Sequence, residues 1–276
     1  MASVLQSASR EALAEAQARL DAHIDATKAT ELNRLAEDLF SVFSLLDREH
    51  ALRRALADPA TASGARAGLA DRLLDGKIGR TALDVVSDLV KSRWSHAQDL
   101  VEATEMLARS AAFGVAEKNG SLDRVEDELF RFGRILDREP ELSRLLSDQS
   151  TPGDKRIGLL HDVLGEKVAP VTTLLLEQAV RTPRSRHLDV AAEELSELAA
   201  ARRDRYVAHV RTPVRLTAEQ EQRLTDSLTR IYGRPISLQA ELDPDLLGGL
   251  VVRVGGELID GSVAGRLAAA RRALPS

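Results

Sequence analysis

Apolar residues recur at steps of three and four through most of the first 200 positions. One such set is Leu122, Val125, Leu129, Phe132 and Leu136. An earlier set is Leu32, Leu35, Leu39, Val42 and Leu46. Because a helix turns once in 3.6 residues, these steps place each set on one helix face. The pattern therefore predicts amphipathic helices that pack together through their apolar faces.

The two helical stretches belong to an internal repeat with a period of 90 residues. Leu46-Asp-Arg-Glu49 matches Leu136-Asp-Arg-Glu139, and a gap-free shift gives 14 identities in 34 positions between residues 45 and 78. Chance would give roughly 3 identities in so biased a composition, which indicates a duplicated structural unit. The sequence therefore predicts two related helical bundles in tandem.

A long helix over about residues 95–118 is predicted to serve both copies, as the last helix of the first and the first helix of the second. Ser95-His-Ala-Gln98 has the pattern of a capping box, which opens a helix, and Asn119-Gly120 closes it. Thr151-Pro152 predicts a second N-cap, with proline at the first helical position. A last helix is predicted over about residues 185–204, with its inward residues Leu188, Leu195 and Leu198.

After Tyr206 the period of the apolar pattern falls to two, which is typical of strands. Three strands are indicated, by Tyr206, Ala208 and Val210, by Ile236, Leu238, Ala240 and Leu242, and by Leu250, Val252 and Val254. Between the first two, Thr217-Ala-Glu-Gln220 predicts a capping box and a helix with Leu224, Leu228 and Ile231 inward. A tight glycine turn and a short further strand follow the third strand, and from Ser262 the chain is predicted to turn helical through Leu274.

These patterns predict a mainly helical α+β protein. Two tandem related helical bundles share a long helix and are followed by a small β-α-β-β-α domain. The predicted boundaries are residues 1–94 for the first copy, 95–204 for the second and 205–276 for the C-terminal domain.

The composition is that of a soluble globular protein, with 43% hydrophobic and 29% charged residues. A net charge of −5 argues against a general nucleic-acid binder. The absence of cysteine excludes disulfides and thiolate metal sites. No signal peptide and no apolar run of about 18 residues is found, so membrane association is expected only through a partner.

Candidate chemistry is sparse. Gly248, Gly249 and Gly255 do not fit a nucleotide-binding loop, and we interpret them as positions that require unusual backbone geometry or close packing. Asp260 and Ser262 are interpreted as turn or cap residues. The six histidines never have the His-x-x-x-His spacing of a metal site. The sequence therefore predicts no catalytic residue, no cofactor and no metal.

The segment from Asp243 to Leu267, called here the C-terminal signature, resembles the delta subunit of bacterial F-type ATP synthase, the oligomycin-sensitivity-conferring protein family. The residues that carry the resemblance are Asp243, Pro244, Leu247, Gly248, Gly249, Gly255, Asp260, Gly261, Ser262 and Leu267. Residues 111–122 of the second copy and the helices after them are also similar to that family. The extra N-terminal copy departs from the usual family pattern and is similar to actinobacterial versions.

The resemblance implies a non-catalytic stator subunit with two protein partners. The helical bundle would grip the N-terminal helix of an alpha subunit, and the C-terminal domain would hold the C-terminal helix of a b-type stalk subunit. The positions implied for the first grip are Phe113, Ala116, Leu174 and Gln178, and Phe113 and Leu174 could instead be core residues. No nucleic acid is expected, and the implied location is the cytoplasmic face of the bacterial plasma membrane, reached only indirectly through the complex.

Two other classes of function remain open on the sequence. A helical repeat adaptor unrelated to ATP synthase would use the duplicated bundles as a protein-binding array. A nucleic-acid-binding regulator would need one strongly basic face and a steep dependence of affinity on salt. An enzyme is disfavoured because no nucleophile, base and oxyanion donor are brought together by any motif.

Overall fold

The computed structural model describes residues 6–165, 168–183, 187–204, 207–232, 236–244, 246–254 and 257–263. The chain forms two compact units, residues 1–196 and residues 197–276. Tyr206, Gly255, Leu267 and the helix predicted beyond Val263 lie outside the described ranges.

Helices follow one another along the chain as far as Asp204. They are α1 (Ser7–Ala26), α2 (Ala29–Arg48), α3 (His50–Ala57), α4 (Ser63–Leu74), α5 (Arg80–Lys91), α6 (Ala97–Lys118), α7 (Leu122–Arg138), α8 (Pro140–Ser147), α9 (Gly153–Leu164), α10 (Pro170–Arg181) and α11 (Leu188–Asp204). None of the helices in the described residues has both the length and the apolar character needed to span a bilayer.

The helix bounds repeat with the period of the sequence. Helices α1, α3, α4 and α5 start at residues 7, 50, 63 and 80, and α6, α8, α9 and α10 start at residues 97, 140, 153 and 170. The two predicted apolar faces, on α2 and on α7, are buried throughout. Burying a side chain of that size stabilises the fold by roughly 1.5–3 kcal/mol. The prediction of related helix sets that share α6 is confirmed.

Helix α6 is a core element, since 15 of its 22 residues are buried. It begins at Ala97, because its N-cap is His96, one residue after the predicted cap Ser95. The carboxylate of Asp99 accepts the N–H of His96 at 3.1 Å, and it also accepts the hydroxyl of Ser9 at 2.6 Å. That hydroxyl in turn accepts the N–H of Ser95 at 2.8 Å. The prediction of a capping box from Ser95 to Gln98 was therefore wrong by one residue.

The predicted cap at Thr151 was also displaced by one residue, since α9 begins at Gly153 with Pro152 as its N-cap. Thr151 is engaged elsewhere, because its hydroxyl donates to the carboxylate of Asp148 at 3.3 Å and its N–H donates to the Asp148 carbonyl at 3.1 Å. Asp148 also accepts the N–H of Ser150 at 2.9 Å. A turn closed by an aspartate thus precedes the helix.

The second unit carries a four-stranded sheet. Its strands are β1 (Val207–Thr212), β2 (Ser237–Leu242), β3 (Val251–Val254) and β4 (Glu257–Asp260), in the spatial order β2-β1-β3-β4. Strand β1 pairs parallel to β2 and antiparallel to β3, and β3 pairs antiparallel to β4. Helix α12 (Ala218–Tyr232) connects β1 to β2, and its capping box joins Thr217 and Gln220 as predicted.

The core of the second unit is smaller than the apolar alternation predicts. Its members are Ala208, Val210, Leu228, Ile236, Val252 and Val254. Ile231 was predicted to face inward but is 68% exposed, because Leu228 and Tyr232, four residues apart, form the packed stripe of α12. Ala240 and Leu242 are also exposed. Strand β2 lies at the sheet edge, and within it Leu238 packs against the core, as does Ile236 immediately before the strand.

Candidate partner-binding surfaces

Helix α10 is held at its N-terminal end by a carboxylate from α7. Glu128 accepts the N–H of Ala169 at 2.9 Å and the hydroxyl of Thr172 at 2.6 Å through one oxygen. Its other oxygen accepts Arg124 Nε at 2.7 Å. The first turn of a helix has N–H groups without helical partners and a partial positive charge, so an anion there stabilises the helix.

The first copy has the same carboxylate-to-helix hydrogen bond at the matching position. Asp38 of α2, which is 90 residues before Glu128, accepts the N–H of Gly79 at 2.8 Å. Gly79 is the residue before α5, as Ala169 is the residue before α10. An acidic residue on the second helix therefore anchors the start of the fifth helix in both copies.

Replacing Glu128 with glutamine is expected to destabilise the protein at neutral pH by about 1 kcal/mol. Burial alone would raise the pKa of Glu128, but hydrogen bonds from Thr172, Ala169 and Arg124 together lower it. A carboxyl whose pKa is lowered by folding stabilises above its unfolded pKa, and that contribution is lost as pH falls through the folded pKa. Urea unfolding at several pH values should show the difference shrinking below about pH 4.

The control for this variant is Glu193→Gln, because Glu193 is exposed on α11. Its effect on the free energy of unfolding should be small at every pH, as is usual for surface positions. An unchanged free energy of unfolding for the Glu128 variant at neutral pH would contradict the assigned role.

The C-terminal end of α10 is held by a buried arginine. Arg156 of α9 is 6% exposed, and its guanidinium donates to the carbonyl of Val180 at 2.7 Å. It also donates to the carbonyls of Thr151 at 3.2 Å and Leu146 at 3.4 Å. These bonds tie three successive helices of the second copy together. Both ends of α10 are thus fixed, which orients the surface it presents.

The surface of α10 contains two of the predicted grip residues. Leu174 and Gln178 are half-buried and lie one helical turn apart. Glu177 beside them is engaged by His161 at 2.6 Å and by Arg181 at 3.8 Å. The face therefore offers an uncharged strip flanked by paired charges, a surface suited to an amphipathic helix.

The other two predicted grip residues lie on α6 and are covered by the chain itself. Phe113 is 2% exposed and Ala116 is fully buried. A partner that docks on the folded chain would therefore meet α10 rather than these two side chains. The burial of Phe113 fits the alternative interpretation that it is a core residue.

The first part of the C-terminal signature forms a turn over residues 246–250, and this turn packs against residues 261–263, which follow β4. Gly248 and Gly249 have φ of 143° and 80°, a region that favours glycine. The N–H of Gly261 donates to the carbonyl of Leu250, and the N–H of Val263 donates to the carbonyl of Gly248, each at 3.0 Å. A side chain at Gly249 would lie 2.9 Å from the Cα of Ser262.

Acidic residues close both ends of this turn. Asp243 pairs with Arg211 at 3.1 Å, and its N–H donates to the carbonyl of Thr212 at 2.9 Å. At the other end, hydrogen bonds from the hydroxyl and N–H of Ser262 lower the pKa of Asp260. Pro244 and Leu247 lie on the outside of the turn, and Leu247 is 83% exposed. The turn therefore presents a large apolar side chain on a braced backbone.

Sequence reasoning missed the two anchors of α10. Arg156 had a signal, because the repeat alignment matches it to Arg66, which is 5% exposed and donates to the carbonyls of Asp58 and Lys91. Glu128 had a weaker signal, because its counterpart Asp38 is a different residue type. A search for conservative as well as identical matches in the repeat would have found both.

Comparison with known proteins covers both units. Residues 108–274 match the family model described as ATP synthase delta (OSCP) subunit. ATP synthase subunit delta of Streptomyces griseus is 48% identical over 97% of this chain and 98% of that protein. ATP synthase subunit delta of Rhodococcus opacus is 43% identical over 99% of both chains. These long alignments include the first helical copy, which the family model leaves out.

A further relative has a composite name. ATP synthase subunit b-delta of Mycobacterium sp. (strain KMS) is 46% identical over 98% of this chain. The matched part is 61% of that protein's length. The region similar to this chain is therefore one part of a longer polypeptide in that relative.

Proposed function

This chain belongs to the ATP synthase delta (OSCP) subunit family, whose members are non-catalytic components of the peripheral stalk, and we propose that its two units bind two different partners. The helical unit would bind the N-terminal helix of an alpha subunit in the catalytic head. The C-terminal unit would bind the C-terminal helix of a b-type subunit. Joined in this way, the chain would hold the head still against rotor torque at the cytoplasmic face of the membrane.

The surface of α10 supports the proposed binding of the helical unit to the alpha subunit. Leu174 and Gln178 form an uncharged strip on a helix whose two ends are fixed by Glu128 and Arg156. A rigid, uncharged strip loses little entropy on binding, so a partner helix can be held with slow dissociation. We assign Leu174 and Gln178 to direct contact and Phe113 to the core that supports α6.

Exposed apolar side chains support a partner for the C-terminal unit. Leu247 is 83% exposed, Leu258 is 66% exposed and Val214 is 68% exposed. Large contiguous apolar patches on a surface mark protein-protein interfaces, and we propose that these three side chains contribute to one. The mycobacterial relative named b-delta is consistent with a b-type partner, since its name joins the two subunits in one chain.

Ending the chain at residue 204 is expected to separate the two activities. The shortened protein should keep its affinity for an alpha-subunit N-terminal peptide within about twofold, because the α10 strip is intact. Binding to the soluble part of the b subunit should be lost. Pull-down and titration with both partners would measure the two affinities.

A point variant checks that the result does not arise from misfolding. Leu247→Asp in the full chain should weaken b binding by about tenfold, because a charge replaces an exposed apolar contact. Its melting temperature should not change, since Leu247 is exposed in the isolated chain. If the shortened protein lost the head peptide and kept b, the assignment of partners to units would be reversed.

A further inference from the structure

Asp84 and Asp88 form a charged strip on α5, whereas the matching strip on α10 is uncharged. Asp84 pairs with Arg80 at 3.2 Å, and Asp88 pairs with Lys91 at 3.6 Å. Asp88 also pairs with Arg19 of α1 at 3.5 Å, which links the first and fifth helices of the first copy. The strip of α5 is therefore charged along its length.

The residues that match Asp84 and Asp88 after a shift of 90 positions are Leu174 and Gln178. An apolar helix face laid on Asp84 and Asp88 would remove two carboxylates from water, which costs free energy. The same face laid on Leu174 would bury apolar surface, which is favourable. The two copies thus share a backbone plan but differ in the partner they can accept.

The first copy is instead packed tightly against the chain's own α6. Gln17 of α1 donates to the hydroxyl of Ser110 at 2.7 Å, and Lys118 donates to the carbonyl of Asp25 at 2.8 Å. At Gly114 a methyl group would lie 2.8 Å from Cγ2 of Ile24. The contacts follow α1 and α6 from one end to the other.

We infer that the first copy is an internal brace for α6 and that each chain binds one partner helix, on the α10 strip of the second copy. The inference rests on the proposed function. Leu174 and Gln178 would then be the residues that decide which copy binds, and Asp84 and Asp88 would exclude the partner from the first copy.

Isothermal titration of the full-length chain with a synthetic alpha-subunit N-terminal peptide tests the number of sites. We expect one peptide per chain. Leu174→Asp should weaken binding by about tenfold or more, whereas Asp84→Leu should leave the affinity of that site unchanged. Gln178→Asp provides a second variant at the half-buried strip if Leu174→Asp alters the circular dichroism spectrum.

Two outcomes would overturn the inference while leaving in place the proposal that the helical unit binds the alpha subunit. One is binding of two peptides per chain with similar affinity. The other is a single site that is lost in Asp84→Leu and kept in Leu174→Asp. If the folded wild-type chain bound no peptide, the proposed grip itself would be wrong, and the inference would fail with it.

The brace has its own test in the full chain. Gly114→Ala should force α1 away from α6, so hydrogen exchange of α6 amides should speed up and peptide affinity should fall several-fold. Adding Ile24→Ala makes room for the new methyl group and should restore both the exchange rate and the affinity. Unchanged exchange and affinity in Gly114→Ala would rule out the brace.

Discussion

Replacing Gly249 with alanine is expected to destabilise the C-terminal unit by about 3 kcal/mol. The residue has φ of 80°, which alanine rarely adopts. The added methyl group would also overlap the carbonyl oxygen of Gly261 and lie 2.9 Å from the Cα of Ser262. Both neighbouring groups belong to the backbone, so the clash cannot be relieved by rotating a side chain. The turn that contains Gly249 and precedes β3 must therefore open.

Binding measurements would show which unit is affected. A loss of this size is a large part of the stability of a small unit, so binding to the soluble b subunit should fall sharply. Binding to the alpha-subunit peptide should be kept, because that grip is assigned to the first unit. A matched control is Gly68→Ala, where the methyl group meets open space inside α4 and should stabilise by about 0.5–1 kcal/mol. Wild-type stability of the Gly249 variant would refute the role assigned to this turn.

Replacing Arg156 with methionine is expected to destabilise the helical unit by about 3 kcal/mol. The methionine keeps the apolar stem but removes a guanidinium that donates to the carbonyls of Val180, Thr151 and Leu146. Carbonyls that lose a donor inside the protein pay a desolvation penalty. Because one of these bonds holds the end of α10, affinity for the alpha-subunit peptide should fall as well.

Variants of two further arginines provide reference values for this loss of unfolding free energy, measured by urea unfolding. Arg131→Met removes an exposed pair with Asp127, whose side chains are 74% and 51% exposed, and should cost less than about 0.5 kcal/mol. Arg66→Met removes the matching arginine of the first copy, which donates to the carbonyls of Asp58 and Lys91. Its Nε has no hydrogen-bond partner, so the loss of unfolding free energy should be smaller than in Arg156→Met. Equal stability of the Arg131 and Arg156 variants would show that the clasp contributes nothing.

The duplicated bundle gives this family member an internal comparison. Asp38 and Glu128 anchor the fifth helix of each copy, and Arg66 and Arg156 clasp the same helices in each copy. The copies therefore keep the contacts that build the bundle. They differ at the surface, where Asp84 in the first copy stands in place of Leu174 in the second.

Much of the fold was predicted correctly from the sequence. The steps of three and four on α2 and α7 identified core faces that are buried, and the shift of 90 residues anticipated helix starts that repeat at the same spacing. These features are local, because they depend on the geometry of a helix and on duplication. The resemblance of the C-terminal signature likewise pointed to the family that the comparisons establish.

Some of the failed predictions depended on residues that are distant in the sequence, whereas the cap at Thr151 was displaced by the nearby Asp148. Ser9 is 90 residues from Asp99 in the chain, and its hydroxyl helps to set the cap of α6 one residue after the predicted position. Leu242 alternates as a buried strand residue should, but it is 53% exposed because β2 lies at the sheet edge.

The sequence alone therefore determined the elements, the repeat and the family, since periodicity and motifs are properties of consecutive residues. Only the tertiary structure decided which apolar residues are accessible. Phe113 and Leu174 read alike as members of apolar helix faces, yet Phe113 is 2% exposed and Leu174 is half-buried. Burial depends on what packs against a face, and for α6 that includes helices of the first copy that are distant in the sequence.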